Sequence, residues 1–193
     1  HSFAFLSYIL SKIDNRDFIY DGDKSDNLPD FYDYNIFFDL DILDQGASSK
    51  CVPYSIYTML KTTNYKNIDI DNIYERRPNI PEEGMQIRDA LKIVKNDLKD
   101  PFFQYFRLNS IQHIKSSIIA NGPCIFALPI RNNYANEFWK GNATTGGHAV
   151  CCVGYNKEGF IIQNSWGYTY GDSGKNILPY SEFKYIIEAW GVC

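Results

Sequence analysis

Long apolar runs are missing from this chain of 193 residues. The longest uninterrupted candidates, such as Cys124 to Ile130, have the length of a strand, whereas a membrane helix needs about 20 residues. Paired Cys-x-x-Cys ligands are absent, and the three histidines show no metal-site spacing beside the five cysteines. Positive charge is not in excess either: 19 Lys and Arg face 23 Asp and Glu, a net charge of −4, which argues against a general nucleic-acid binder. Internal repeats and low-complexity tracts are lacking. What is present is the balance of a folded protein: 45% hydrophobic, 16% aromatic and 22% charged residues. At this length the expectation is a single domain, or two small lobes sharing a boundary, acting as an enzyme or binding domain.

The charge is uneven. Residues 1–44 hold ten Asp against Lys12, Arg16 and Lys24, a local charge of −7, so the remainder is slightly basic. An acidic arm on a basic body invites an intramolecular contact; a solvated leader is the alternative. Phe3, Leu6, Leu10 and Ile13 repeat at helical spacing, which predicts a short amphipathic helix. The stretch Asp14 to Asp30 reads as an exposed arm. The apolar start lacks the basic lead and the small-residue cleavage site of a signal peptide, and because the chain begins at His1, secretion stays open. Cys124, Cys151 and Cys152 read as small buried hydrophobes, and nothing in the cysteine pattern demands an oxidising compartment.

Val52, Ile56, Met59 and Leu60 follow Cys51 at helical spacing, so Cys51 opens a buried helix with Pro53 in its first turn. A second helix fits Met85 to Lys95 through Ile87, Leu91 and Val94. A third fits Ser110 to Ala120, with Ser110 as its cap and Asn121-Gly122-Pro123 as its stop. On that helix His113, beside Gln112 and Lys115, is expected to face solvent. From Cys124 onward the texture turns to strands: Cys124–Ile130, His148–Tyr155 and Phe160–Asn164, with weaker candidates at Asn176–Leu178 and Ile186–Trp190. Helices first and strands later is an α+β order. A cleft between the two halves would set Cys51 opposite the His148 strand.

Three blocks carry chemistry when read together. In Gln45-Gly46-Ala47-Ser48-Ser49-Lys50-Cys51, a thiol sits at a helix N-terminus, where the dipole favours thiolate. Gln45, six residues earlier on a glycine-containing turn, could join the Cys51 backbone N–H as a donor to a developing oxyanion. In Gly146-Gly147-His148-Ala149-Val150 the glycines permit close backbone approach beside an imidazole at a strand start. In Asn164-Ser165-Trp166-Gly167, a hairpin would place Asn164 beside His148 and let Trp166 shield their hydrogen bond. Nucleophile, base and orienter are the parts of a catalytic triad. Each block alone would be weak.

The three blocks together resemble the papain/cathepsin family of cysteine proteases, in a short and divergent form. Leu28-Pro29-Asp30-Phe31-Tyr32-Asp33-Tyr34 resembles the start of a mature enzyme of that family, and Tyr170-Gly171-Asp172-Ser173-Gly174 continues the Asn block. The likeness covers about residues 28–182, thinly between 62 and 110. It implies a two-lobe α+β fold, with an N-terminal helical lobe of about residues 40–120 and a C-terminal antiparallel β-barrel-like lobe of about 121–193. Residues 1–27 would then be an extension or pro-region remnant ahead of a catalytic domain spanning 28–193. It implies catalytic roles for Cys51 (nucleophile), His148 (acid and base), Asn164 (orienter) and Gln45 (oxyanion hole), with Trp166 and Gly147 in support. No cofactor or metal enters that chemistry.

The departures are specific. Ser48 stands where the family has a disulfide-bonded cysteine, Val52 where an aromatic follows the nucleophile, and Tyr170 where a second Trp is usual. Lys50, just before Cys51, either supports a thiolate or is solvated. The 97 residues between Cys51 and His148 fall short of the family's spacing of roughly 130–150. The implied activity is endopeptidase hydrolysis of a protein or peptide substrate, since no extra charged loop suggests capture of a chain terminus. Neither nucleic acid nor membrane is an expected partner; the chain is expected to be a monomer, with residues 1–27 touching the cleft. A non-catalytic homologue and a transglutaminase-type acyltransferase are the alternatives, the latter disfavoured because Asn164, not Asp, stands beside the histidine. The resemblance implies a lysosomal or secreted setting, while the few cysteines leave an intracellular or viral one open.

Overall fold

Cys51–Leu60 form α1, and eight of its ten side chains are buried, so this helix lies inside the molecule and not along its surface. Pro53 sits in its first turn, where a missing N–H breaks no intrahelical bond. The structure, a computed structural model, describes residues 8–22 and 27–193. Around α1 gather α2 (Ile70–Glu75), capped by the Asp69 side chain on the Asn72 N–H, and α3 (Ile87–Leu98). The apolar stripe of α3 is Ile87, Ala90, Leu91 and Val94, one face at helical spacing. The helix starts two residues later than the sequence predicts, because Met85–Gln86 are held extended by pairing with another segment. α4 (Ile111–Asn121) begins at Ser110, whose side chain accepts the His113 N–H, and ends at Gly122, whose N–H closes onto Ser117 and Ile118 carbonyls.

The strands build one mixed-length antiparallel sheet and a short parallel pair. In chain order they are β1 (Tyr8–Ile9), β2 (Tyr32–Asp33), β3 (Met85–Gln86), β4 (Tyr105–Arg107), β5 (Cys124–Ile130), β6 (Gly146–Tyr155), β7 (Gly159–Gln163), β8 (Lys175–Pro179) and β9 (Glu188–Val192). The main sheet runs β4-β9-β5-β6-β7-β8, with β2 added at the far end of β6. Among the described residues β4 and β8 do not pair with each other, so the sheet is barrel-like without closing. β5 is buried along its whole length between β6 and β9, and α1 packs across β6. The short strands β1 to β4 interleave with the helices, but all four α-helices precede the longer strands β5 to β9, the α+β order that the sequence implies.

The N-terminal arm differs from expectation. Tyr8–Ile9 are not helical but form β1, parallel to β3, with Tyr8 opposite Met85 and Ile9 opposite Gln86. Phe3 and Leu6 lie outside the described residues, and Ile13, assigned by its spacing to a buried helical face, is 87% exposed. The stretch from Asp14 is exposed at Arg16, Phe18 and Ile19, as the sequence implies, yet it is docked on the body. Ile19 bridges Arg107 on β4, with Tyr20 N–H donating to the Arg107 carbonyl and Arg107 N–H to the Phe18 carbonyl. His113 does not point freely into solvent: its ring meets Tyr20 edge-on at 5.7 Å, and its Nδ1 is buried.

Candidate active site

The start of α1 fixes Cys51 by burying it, at 0% exposure, against β6. Its Sγ accepts the backbone N–H of Ala149 at 3.4 Å, the residue next to His148. Lys50, at the cap position, turns away: its ammonium pairs with Asp71 on α2 at 2.8 Å, so it is neither a partner of the sulfur nor fully solvated. Val52, in place of an aromatic side chain, is wholly buried.

β6 presents His148 on the same face as Val150, and the β6–β7 register pairs Cys151 with Gln163. Extending that register sets Asn164 opposite Val150, one same-face step from His148. The side chains meet there: His148 Nε2 lies 2.7 Å from Asn164 Oδ1. Ser165 N–H also donates to Oδ1 at 2.8 Å, which identifies that atom as the carbonyl oxygen. His148 therefore carries its proton on Nε2, and in the neutral ring Nδ1 is the free base. Trp166 covers the pair, its ring stacked on the imidazole at 4.6 Å and 18°. Phe138 closes a second side, edge-on to His148 at 5.5 Å. Tyr170, the substitute for a tryptophan, stands edge-on to Trp166 at 4.9 Å and anchors its hydroxyl on the Ala135 carbonyl. Burial pushes the His148 pKa down to about 4, against a smaller upward pull from the Asn164 hydrogen bond. The ring is thus neutral at pH 7 in this form.

The loop leading to Cys51 is tied to the Asn164 loop by backbone. Gln45 N–H donates to the Ser165 carbonyl, Gly167 N–H donates to the Leu43 carbonyl, and Asp44 bridges Trp166. Gly167 has φ +85°, and a Cβ there would sit 3.1 Å from the Asp44 carboxylate, so the close approach and the backbone angle both call for glycine. The Gln45 side chain is oriented from two sides: its Oε1 accepts from Ser165 Oγ at 2.6 Å, and its Nε2 donates to the Ser48 carbonyl at 2.8 Å. Ser48, in place of a cysteine, uses its hydroxyl on the Gln45 carbonyl. Gly147 has its reason in the arm, since a Cβ there would come within 2.5 Å of the Tyr8 ring.

Cys51, His148 and Asn164 are gathered into one site, with Gln45 on the adjoining loop and Trp166 as cover. Sequence reasoning missed Phe138, Ser165, Tyr8 and Glu188. Phe138 lies in no motif, and Ser165 lies in the Asn164 block, where nothing local shows that its hydroxyl donates to Gln45. Tyr8 and Glu188 meet only through folding: the Tyr8 hydroxyl donates to the Glu188 carboxylate, which also accepts the Ser11 N–H at 3.0 Å and the Trp190 Nε1–H at 2.8 Å. Among the described residues no cluster of His, Cys, Asp and Glu is arranged to hold a metal.

Comparison with known proteins bears on the family and the fold. Residues 49–182 match the family model described as papain family cysteine protease. Over 90 residues the chain is 30% identical to an uncharacterized peptidase C1-like protein of Acanthamoeba polyphaga mimivirus, an alignment covering 40% of this chain and 28% of that protein. It is 31% identical over 96 residues to cathepsin B-like cysteine proteinase 3 of Ostertagia ostertagi, covering 45% of this chain and 55% of that one. These curated relatives are therefore matched over about half their length or less. In fold, the structure resembles xylellain, a cysteine protease from Xylella fastidiosa, with a TM-score of 0.76 at 22% identity, covering 96% of this chain and 94% of that one. It also resembles procathepsin B S9 from Trypanosoma congolense, with a TM-score of 0.75 at 13% identity, covering 97% and 86%.

Proposed function

The chain belongs to the papain family of cysteine proteases, and from that premise we propose that it is an endopeptidase in which Cys51 and His148 cleave peptide bonds through an acyl-enzyme. The observation that carries the reading is the 2.7 Å bond between His148 and Asn164 beneath Trp166, on the strand whose next amide binds the Cys51 sulfur. With the cleft open to solvent, His148 accepts the Cys51 proton and forms the thiolate–imidazolium pair. The thiolate adds to the substrate carbonyl, and Gln45 Nε2–H and the Cys51 N–H hold the oxyanion. His148 returns its proton to the leaving amine as the C–N bond breaks. Neutral His148 then takes a proton from water, which releases the acid and regenerates the thiol.

In this proposal residues 1–27 are an extension that limits access, and 28–193 are the catalytic domain, with helical and β lobes dividing near residue 120. Support comes from the closed state of the site: Cys51 and His148 are 0% and 1% exposed, and Tyr8 lies against Gly147, the residue before His148. Burial that keeps His148 neutral also disfavours the ion pair until the arm moves.

Intact-mass measurement after incubation with an epoxysuccinyl probe tests the reading, on wild type and Cys51→Ala at pH 5.5 and 7. One adduct on wild type and none on the variant is expected. A folded protein that stays unmodified at both pH values, with and without Tyr8→Ala to loosen the arm, would remove the protease assignment.

A further inference from the structure

Besides its strand pairing with β3, the buried Tyr8 and the backbone bridge at Ile19, the arm is fastened through one carboxylate. Asp17 is almost fully enclosed, its side chain 7% exposed, between Arg88 at the start of α3 and Arg107 on β4. Arg88 grips it in a fork, Nε to Oδ1 at 2.8 Å and Nη2 to Oδ2 at 2.6 Å. Arg107 Nε adds a third bond to Oδ2 at 2.8 Å, while its Nη2 donates to the carbonyls of Ser11 at 2.8 Å and Lys12 at 3.3 Å.

The arginines belong to the body and are positioned by it. Arg107 lies over the buried Trp190 ring at 4.4 Å, and Arg88 lies 5.7 Å from the same ring. Glu188, a carboxylate of the body whose charge reaches Arg88, is turned to Trp190 and to the arm's Tyr8 and Ser11. Beside Asp17 a cavity of about 230 Å³ opens onto Lys92 and Lys95. With Arg88 these lysines stand at i, i+4 and i+7, one face of α3. Two guanidiniums that converge on one point, with further cations along the helix, are complementary in charge and geometry to a carboxylate.

We propose that when the arm withdraws, Arg88 and Arg107 receive an Asp or Glu of the substrate in the place of Asp17, with Lys92 and Lys95 extending the site toward further acidic residues. The arm is then a template of the preferred substrate: an aromatic residue toward Gly147 and Glu188, and a carboxylate farther along the α3–β4 face. The support is geometric: the body holds both guanidiniums over the Trp190 ring, so the fork that grips Asp17 is positioned by residues outside the arm and suits another carboxylate. This assignment rests on the protease reading for its substrate, but peptide binding can be measured without turnover.

Full-length protein carrying Cys51→Ala to prevent cleavage and Asp17→Asn to weaken the arm is titrated with a fluorescent peptide of the sequence of residues 8–20, and with the same peptide bearing Asn for Asp17. The acidic peptide is expected to bind about tenfold tighter or more, a typical effect of charged hydrogen bonds, and the gap should narrow with Arg107→Gln. Equal binding of the two peptides, or none, overturns the proposal. Both peptides meet the same folded protein, so their difference in affinity does not depend on whether an arginine variant folds. A folded protein that discriminates the peptides but fails the epoxysuccinyl test would keep the acidic site and lose the protease. In Asp17→Asn enzyme with Cys51 intact, quenched substrates with one Asp scanned through each position should exceed their Asn counterparts about tenfold in kcat/KM at one position. Equal rates throughout would end the substrate assignment.

Discussion

Gln45 is held by its neighbours before any substrate arrives. Ser165 fixes its carbonyl oxygen and Ser48 takes one amide hydrogen, so the direction of Nε2 is set by the fold. Such preorganisation is what makes an oxyanion donor effective, because no reorientation is needed during reaction. Gln45→Ala is expected to lower kcat by about 10² to 10³ with little change in KM, measured on a quenched peptide. Lys50 provides the contrast. It stands next to Cys51 in sequence, yet its charge is committed to Asp71, an exposed partner. Lys50→Ala should change stability by under about 1 kcal/mol in denaturant titration and leave the rate of Cys51 labelling within about twofold. A large fall in that rate would return Lys50 to the role of thiolate support.

Secondary structure set by local chemistry was legible in the sequence. α4 is an example, with Ser110 accepting the His113 N–H and Gly122 closing the end. Ser110→Ala should cost about 1 kcal/mol in thermal or chemical unfolding, the ordinary worth of such a cap. Cys51, His148 and Asn164 were legible because each sits in a block with its own characteristic neighbours. The arm was not. Leu10 and Ile13 share a helical spacing with Phe3 and Leu6, but Leu10 and Ile13 are exposed, and a two-residue strand at Tyr8–Ile9 exists only because Met85–Gln86 pairs with it. Likewise α3 loses its first two expected residues to that pairing. Gly147 was legible as a site of close approach, while what approaches it was not. Gly147→Ala should push the Tyr8 ring aside and speed Cys51 labelling, as should Tyr8→Ala. If both act by freeing the same segment, the double variant will gain less than the two effects combined.

At the scale of the whole molecule, pH acts on the closed form through His148 and Asp17. His148 has a folded value of about 4 against about 6.5 when solvated, so between these values the opened or unfolded chain binds the extra proton. The stabilisation is complete above pH 6.5 and is lost as pH falls through 4, a change on the order of 3 kcal/mol. Asp17 works in the same sense at lower pH: burial alone would raise its pKa, but hydrogen bonds from Arg88 and Arg107 hold it below the usual carboxylate range. Thermal midpoints should therefore fall from pH 7 to pH 4, and His148→Gln should flatten that fall. The placement of the five thiols turns these openings into a clock. Cys193 is exposed, Cys51 is wholly buried at the start of α1, and Cys124, Cys151 and Cys152 are buried in adjoining central strands. A thiol reagent will consequently read three events in one trace: immediate modification of Cys193, modification of Cys51 at the pace of the proposed arm release, and modification of the remaining three only when the sheet itself comes apart.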